Sequence, residues 1–243
     1  MSTDNHDEKI APATSRYRFA SPLIIAIIAL QALISLVSYP FLPPMVPSHW
    51  NIAGQIDAYA PKLQVVLQFP LLSIGIFVLL QVLLAVSPRL NNQNPRANRN
   101  VINVILAGTF LFLLVMQLAT IAAAFHVAID ITLIVSLAGS LLFIFIGNYM
   151  GKLRRNFWAG IRTPWTLANE TVWERTHRFG GWLFVIGGLI NVVLSFIPAV
   201  RFYGLLAVVL LMTFGSIVYS YVAYQRIVVH SDQRLSPPFD ENA

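Results

Sequence analysis

Hydrophobic and polar residues occur in long alternating blocks along this chain, and six of the blocks are almost wholly apolar. These six runs cover residues 22–42, 63–86, 101–125, 128–147, 180–200 and 203–224. Each run is close to the length of about 20 residues that an α-helix needs to cross the hydrocarbon core of a bilayer. The pattern therefore predicts an all-α integral membrane protein with six transmembrane helices.

The boundary between the third and fourth runs consists of only two residues, His126 and Val127. A single helix through both runs would be about twice as long as the bilayer is thick. We therefore expect a tight helical hairpin at this point. Asp130 then lies near the beginning of the fourth helix, where the helix dipole favours a negative charge.

The composition agrees with a membrane protein, because 57% of the residues are hydrophobic and only 11% are charged. Soluble domains carry about 25% charged residues. The net charge of +6 follows the distribution of the loops, so we expect no direct nucleic-acid binding. Cysteine is absent, which excludes disulfides, thiolate metal sites and cysteine nucleophiles.

The distribution of positive charge predicts the orientation of the helices. With the N-terminus inside, 14 of the 16 Lys and Arg residues fall on cytoplasmic segments, and only Lys62 and Arg201 fall outside. Basic residues concentrate on the cytoplasmic side of membrane proteins, so we expect a multi-pass protein of the cell membrane with both termini inside. The predicted segments are a tail (1–21), a helix pair (22–86) with an external loop (43–62), a cytoplasmic linker with a second helix pair (87–148), a third helix pair preceded by a cytoplasmic loop (149–224, loop 149–179) and a C-terminal tail (225–243).

The external loop 43–62 is rich in prolines, which should end the first helix and keep the backbone irregular. It concentrates hydrogen-bonding and ionisable side chains, namely His49, Trp50, Asn51, Asp57, Tyr59 and Lys62. By topology, His126 and Asp130 lie on the same side as His49 and Asp57. Two imidazoles and two carboxylates form a ligand set suited to zinc, but their spacing matches no recognised metal motif. The alternative, which we favour, is that the loop side chains bond to the loop's own backbone while its Trp and Tyr anchor at the interface, with no metal or other cofactor.

A polar island at 147–181 separates the fourth and fifth runs. Its basic residues are Lys152, Arg154, Arg155, Arg162, Arg175 and Arg178. Thr163 suits a helix cap and Pro164 the first helical position, which predicts a short amphipathic cytoplasmic helix with its tryptophans toward lipid and its charges toward water. Glu174 and His177 have the E-x-x-H spacing of di-metal bundles, but the six runs contain no Glu, so we expect a solvated helix face. The alternative is a plain connector that anchors two helices.

Polar residues inside the runs include Gln31, Gln68, Gln81, Asn103, Gln117 and Asn191. The sequence places no charged residue near a bilayer midplane, where coupled transporters commonly carry one. We expect the amides to hydrogen-bond between helices. We also expect the pairs Gly180–Gly181 and Gly187–Gly188 to allow close helix contact.

Two stretches of the chain resemble known families. Residues 161–181, IRTPWTLANETVWERTHRFGG, resemble the signature of the SdpI family. Residues 42–59, LPPMVPSHWNIAGQIDAY, resemble the domain of unknown function that often precedes it. Matching positions in the first are Gly160, Arg162, Thr163, Pro164, Trp165, Thr166, Trp173, Thr176, His177 and Arg178, and in the second Pro47, His49, Trp50, Asn51, Gly54 and Asp57.

The resemblance implies a non-enzymatic function at the membrane. The SdpI family is typified by an immunity protein against a secreted toxic peptide, which also binds a small transcriptional repressor on the cytoplasmic side. By analogy, we expect an immunity and signalling protein whose partners are membrane lipids, a toxic peptide outside and a repressor inside. External recognition is expected from His49, Trp50, Asn51, Gly54 and Asp57, and cytoplasmic output from Arg162, Thr163, Pro164, Trp165, Trp173, His177 and Arg178. The alternative is a membrane enzyme or small-molecule carrier with a polar or metal site at the external loop.

Overall fold

The computed structural model describes residues 21–91 and 96–229, and this part of the chain is mainly helical. Its helices are α1 (Pro22–Ser38), α2 (Lys62–Asn91), α3 (Arg96–Ala124), α4 (Ile131–Met150), α5 (Pro164–Ala168), α6 (Glu170–Ser195) and α7 (Pro198–Tyr224). Single turns at Tyr39–Phe41 and Gln225–Val229 extend α1 and α7, and two strands, β1 (Met45–Trp50) and β2 (Ile56–Pro61), lie between α1 and α2. Most of the two predicted tails and residues 92–95 of the predicted linker lie outside the described residues.

Six helices are long and apolar enough to cross a membrane, which confirms the predicted number of transmembrane helices. Their spans are Pro22–Phe41, Lys62–Leu83, Asn98–Ala124, Ile131–Met150, Glu170–Ser195 and Pro198–Val229. The protein is therefore a multi-pass membrane protein. We call the end of the bundle that carries β1 and β2 the hairpin end, and the opposite end, which carries residues 151–163, the loop end.

The chain reverses between α3 and α4, as the short boundary between the third and fourth runs predicts. His126 adopts a left-handed conformation in this turn, with φ of 57°. Asp130 then caps α4, because its side chain accepts a hydrogen bond from the backbone N–H of Leu133. The expected place of this carboxylate at the beginning of the fourth helix is confirmed.

A buried polar network joins α1, α2 and α3. Pro70 lies inside α2 and has no N–H to donate to the carbonyl of Val66, one turn earlier. Ser35 of α1 takes over this role and donates from Oγ to Val66 O at 2.6 Å. Gln117 of α3 donates to Gln31 O and to Ser35 Oγ, each at 2.9 Å. Backbone carbonyls in a membrane need such partners, and the expected amide bonding between helices is confirmed here.

Small residues bring α4 and α6 into close contact. A Cβ added at Gly181 would lie 2.7 Å from the carbonyl oxygen of Gly147, and one at Gly188 would lie 2.9 Å from that of Ser140. Asn191 of α6 also donates to Ser140 Oγ at 2.7 Å. The two glycine pairs therefore allow the close approach that was expected of them.

The predicted external loop, residues 43–62, forms a β-hairpin, so the expectation of an irregular segment is wrong. Strands β1 and β2 pair antiparallel. A two-stranded sheet has an open edge on each strand, where the missing N–H of Pro47 removes no ladder hydrogen bond. Asn51 closes the turn, since its Oδ1 accepts from the N–H groups of Ala53 and Gln55 at 3.0 Å each, and Gly54 supplies a φ of 77°.

Candidate functional site

A cavity of about 620 Å³ lies at the hairpin end, between β1 and the first turns of α4 and α7. Its apolar lining comes from Ile52, Ile131, Val135, Phe202 and Leu205, and the other lining residues are Ser48, His49, Trp50, Asn51, Thr132, Ser136 and Arg201. A volume of this size falls in the range of about 300–1,000 Å³ that is typical of ligand pockets. We refer to it as the outer cavity.

The hairpin is fixed over the outer cavity at both of its ends. At its base, a buried apolar cluster packs the strands against the helices, and its members are Leu42, Val46, Ala60, Val65, Val66 and Ala124. At its tip, the backbone of Gly54 approaches α4 so closely that an added Cβ would lie 3.0 Å from Cγ2 of Thr132. The wall of the cavity that β1 contributes is therefore held in place by packing.

His49 and Asp57 face each other across the hairpin, with 2.6 Å between Nδ1 and Oδ1. Both side chains are partly open to solvent, at 69% and 42% exposure. An ionised carboxylate only accepts hydrogen bonds, so His49 Nδ1 carries the proton in this pair. Asp57 thereby fixes the orientation of the imidazole and leaves Nε2 as the ring nitrogen available to a ligand.

Arg201 is the buried charge of the outer cavity, with only 6% exposure. Its Nε donates to Ser195 O at 2.6 Å. Its Nη1 donates to Asp130 Oδ2 and to Thr132 Oγ1, each at 2.6 Å. These contacts join the beginnings of α4 and α7 to the end of α6. Burial raises the pKa of Asp130, but hydrogen bonds from Thr132, the Leu133 N–H and Arg201 outweigh burial and lower it to about 2.

The predicted external residues occupy distinct positions around this site. His49, Trp50 and Asn51 line the cavity, whereas Asp57 positions His49 and Gly54 packs on α4. The four ionisable residues considered as metal ligands do not gather. His49 pairs with Asp57, whereas Asp130 pairs with Arg201. No group of three or more potential metal ligands occurs within residues 21–91 and 96–229.

Sequence reasoning missed Arg201, which it counted only as an external positive charge. The available signal was a pair of opposite charges, Asp130 and Arg201, at the beginnings of two spans on the same side. Charged residues at the edge of a bilayer pair with one another. The sequence pattern does not show which two spans are neighbours, however, because this is set by how the helices pack.

At the loop end, Trp173 is completely buried, so the expectation that it faces lipid is wrong. Helix α6 begins at Glu170, ten residues before the fifth apolar run, and this extension turns Trp173 into the protein. Its indole donates to Leu153 O at 2.7 Å, and its ring stacks on that of His177 with 3.9 Å between centroids. The residue therefore packs the loop against the helices.

His177 is also fully buried, which corrects the expectation of a solvated face. Its Nε2 accepts from the N–H of Ile161 at 2.9 Å, and its Nδ1 lies 2.9 Å from the carbonyl of Trp173. The two partners require a neutral ring with the proton on Nδ1. Gly160 passes this ring with φ of 111°, and an added Cβ would overlap Nε2.

The short helix α5 begins where it was predicted but is only five residues long. Thr163 caps it in a reciprocal arrangement with Thr166 and also donates to Ser220 Oγ of α7 at 3.1 Å. Trp165 is half-buried and packs edge-on against Tyr221, with 5.1 Å between ring centroids. Asn169 ends α5 by capping α6.

Basic side chains cover the outside of the loop end. The exposed ones are Lys152, Arg154, Arg162, Arg175 and Arg178. Arg162 donates from Nη1 to Phe157 O at 2.7 Å, which holds its stem along the loop. Of the residues predicted for cytoplasmic output, Arg162, Pro164 and Arg178 are exposed, whereas Thr163, Trp173 and His177 lie inside.

Comparison with known proteins gives matches to two separate regions of the chain. Residues 152–220 match the SdpI/YfhL protein family, and residues 26–74 match a domain of unknown function, DUF1648. The resemblance to the SdpI family is confirmed. Immunity protein SdpI of Bacillus subtilis (strain 168) is 29% identical over 172 residues, which cover 71% of this chain and 79% of that protein. No solved structure is significantly similar.

Both matched regions contribute to the outer cavity, whereas its α4 residues lie in neither of them. The DUF1648 region covers most of α1, the hairpin and the beginning of α2, and it contributes His49 and Trp50. The SdpI region covers the loop, α5, α6 and most of α7, and it contributes Arg201 and Leu205. The SdpI/YfhL family is not a family of enzymes, in agreement with the expectation of a non-enzymatic function.

Proposed function

We propose that this protein is a membrane immunity protein that protects the cell from a secreted, membrane-active toxic peptide. The observation that carries the proposal is the outer cavity, to which the hairpin and α7 contribute facing walls. The likeness to immunity protein SdpI supplies the class of function. The two together favour recognition of a peptide at the hairpin end.

The properties of the cavity suit an amphipathic peptide. Its lining is mainly apolar and includes the aromatic side chains of Trp50 and Phe202, and apolar pockets with a few placed polar groups are the usual form of ligand sites. His49 at the rim is held by Asp57 and offers Nε2 to a polar group of the peptide. A peptide at the membrane surface would reach this site from the predicted outer side.

We propose further that the loop end is an output surface for a cytoplasmic repressor. Arg162 and Arg178 are exposed there, and guanidinium groups bind carboxylates through two parallel hydrogen bonds. The buried residues among those predicted for cytoplasmic output do not contact the repressor in this proposal. Trp173, His177 and Thr163 hold the loop in shape, so that the basic side chains keep a fixed arrangement.

The proposal is tested by challenging a strain that lacks this protein with peptides secreted by competing cells and restoring protection with plasmid-borne variants. His49→Ala and Asp57→Ala are expected to abolish protection at unchanged membrane abundance. Gln64→Ala, which removes an exposed polar side chain at the same end, is the matched control and should protect fully. Equal protection by all three variants would contradict the assigned recognition site. Unchanged sensitivity of the deletion strain would contradict the immunity function.

A further inference from the structure

Most polar side chains that line the outer cavity are bonded within the protein. Ser136 Oγ lies 2.7 Å from Ser195 Oγ. Thr132 Oγ1 donates to Asp130 Oδ1 at 2.7 Å and accepts from Arg201. Asn51 uses its Oδ1 to close the hairpin turn. These groups therefore shape the cavity and offer little to a ligand.

Besides His49 at the rim, Arg201 is an exception, because one of its nitrogens has no acceptor among the described residues. Nε and Nη1 donate to protein oxygens, whereas Nη2 makes no hydrogen bond within residues 21–91 and 96–229. The residue is 6% exposed and lines the cavity. Nη2 is not among the buried polar atoms without a partner, so an acceptor can reach it. A ligand that brings an acceptor to Nη2 forms a charge-assisted hydrogen bond there in place of water.

The charge around Arg201 decides which acceptor is preferred. Asp130 already neutralises the guanidinium through the neighbouring nitrogen, Nη1. A second carboxylate at Nη2 would lie beside the first, and two like charges at close range repel. A neutral carbonyl satisfies the same N–H without that repulsion.

We infer that the outer cavity binds an uncharged, apolar peptide segment, with a carbonyl oxygen on Arg201 Nη2, and that it discriminates against a free C-terminal carboxylate. The apolar side chains of the segment fill the space between Val135, Phe202 and Leu205. The inference rests on the proposed function only in assigning a peptide to the cavity. It adds that the bound segment is uncharged and that a peptide end with a free carboxylate is disfavoured.

Two probes of equal size test this inference on the full-length protein in detergent micelles at neutral pH. They are N-acetyl-Leu-Leu-amide and N-acetyl-Leu-Leu with a free carboxylate, and binding is measured by titration calorimetry. We expect the amide to bind about tenfold more tightly than the carboxylate. Asp130→Asn should reverse this preference, because it leaves the guanidinium charge uncompensated. Val135→Phe should abolish binding of both probes by filling the cavity.

Equal affinities for the two probes, or no measurable binding of either, would overturn the inference, as would an unchanged preference in Asp130→Asn. If Asp130→Asn does not fold, the charge dependence is tested on the wild-type protein instead. A third probe, the uncharged N-acetyl-Leu-Leu methyl ester, is then compared with the first two. The ester should then bind like the amide, and an ester that binds like the carboxylate would overturn the inference.

Protection of cells is scored separately. Protection without probe binding contradicts this inference alone, and probe binding without protection contradicts the proposed function alone.

Discussion

Arg201, in the first turn of α7, donates from Nη1 to Oδ2 of Asp130, the cap of α4, over 2.6 Å. The guanidinium is buried, whereas the carboxylate side chain is 48% exposed. Because Nε of the same residue bonds to Ser195 O, a single side chain joins the hairpin-end termini of three helices. The floor of the outer cavity is thereby fixed by charged hydrogen bonds, which are stronger than neutral ones.

The Asp130 carboxylate should make stability depend on acid pH. Its pKa is lowered from 3.8 to about 2 in the folded protein, so its contribution is complete above pH 3.8 and is lost as pH falls through 2. For a half-exposed side chain we expect this loss to be about 1 kcal/mol, after allowance for solvent screening. Thermal melting in detergent should show a steeper fall between pH 4 and pH 2 for the wild type than for Asp130→Asn. Parallel curves would contradict the assigned pairing.

The contact between Gly160 and His177 predicts a strong effect of one added methyl group. Gly160→Ala places a side chain at φ of 111° and against the imidazole, which should cost about 2–5 kcal/mol in the free energy of unfolding. Gly75→Ala is the matched control, since nothing lies within 4 Å of its added Cβ, and it should change stability by less than about 1 kcal/mol. In a His177→Ala background, Gly160→Ala should cost less, because the clash is gone. An equal cost in both backgrounds would show that the ring is not the obstacle.

Hydropathy alone predicts the six long helices, because crossing a bilayer requires a long apolar run. The hairpin was not predicted, since the prolines at 43, 44, 47 and 61 favour breaks and the strands are short. The burial of Trp173 and His177 was missed for a different reason. Helix α6 continues beyond its apolar run, and Glu174 and Arg175 make the extension resemble a surface helix although its other face is buried. The pairing of Arg201 with Asp130 depends on which helices are neighbours, and local sequence patterns do not contain this information.

The orientation of the bundle, predicted from the distribution of Lys and Arg, is directly testable by cysteine labelling because the chain has no native cysteine. Gln55→Cys places an exposed thiol at the tip of the hairpin, and Lys152→Cys places one at the loop end. In intact cells, a membrane-impermeant maleimide should label position 55 and not position 152. After permeabilisation both should react. The reverse pattern in intact cells would invert the assigned topology.

The basic loop end should bind its partner through guanidinium geometry as well as charge. Arg162→Lys and Arg178→Lys keep the charge but lose the planar pair of donors. We expect both variants to insert normally and to lose co-purification of a cytoplasmic repressor by at least about tenfold. Lys152→Arg, at another exposed position, is the control and should retain the partner. Lysine variants that retain the partner at wild-type level would assign these arginines to lipid phosphates instead.

The outer cavity is tested most directly by filling it and measuring protection in cells. Val135 lines the cavity, and Val135→Phe adds bulk there without removing a polar contact. Val193, at 65% exposure on α6, receives the same substitution on a surface that faces away from the protein. At equal membrane abundance and with similar melting temperatures, Val135→Phe should lose protection against the toxic peptide, whereas Val193→Phe should protect like the wild type. Full protection by Val135→Phe would show that the outer cavity is not the site of recognition.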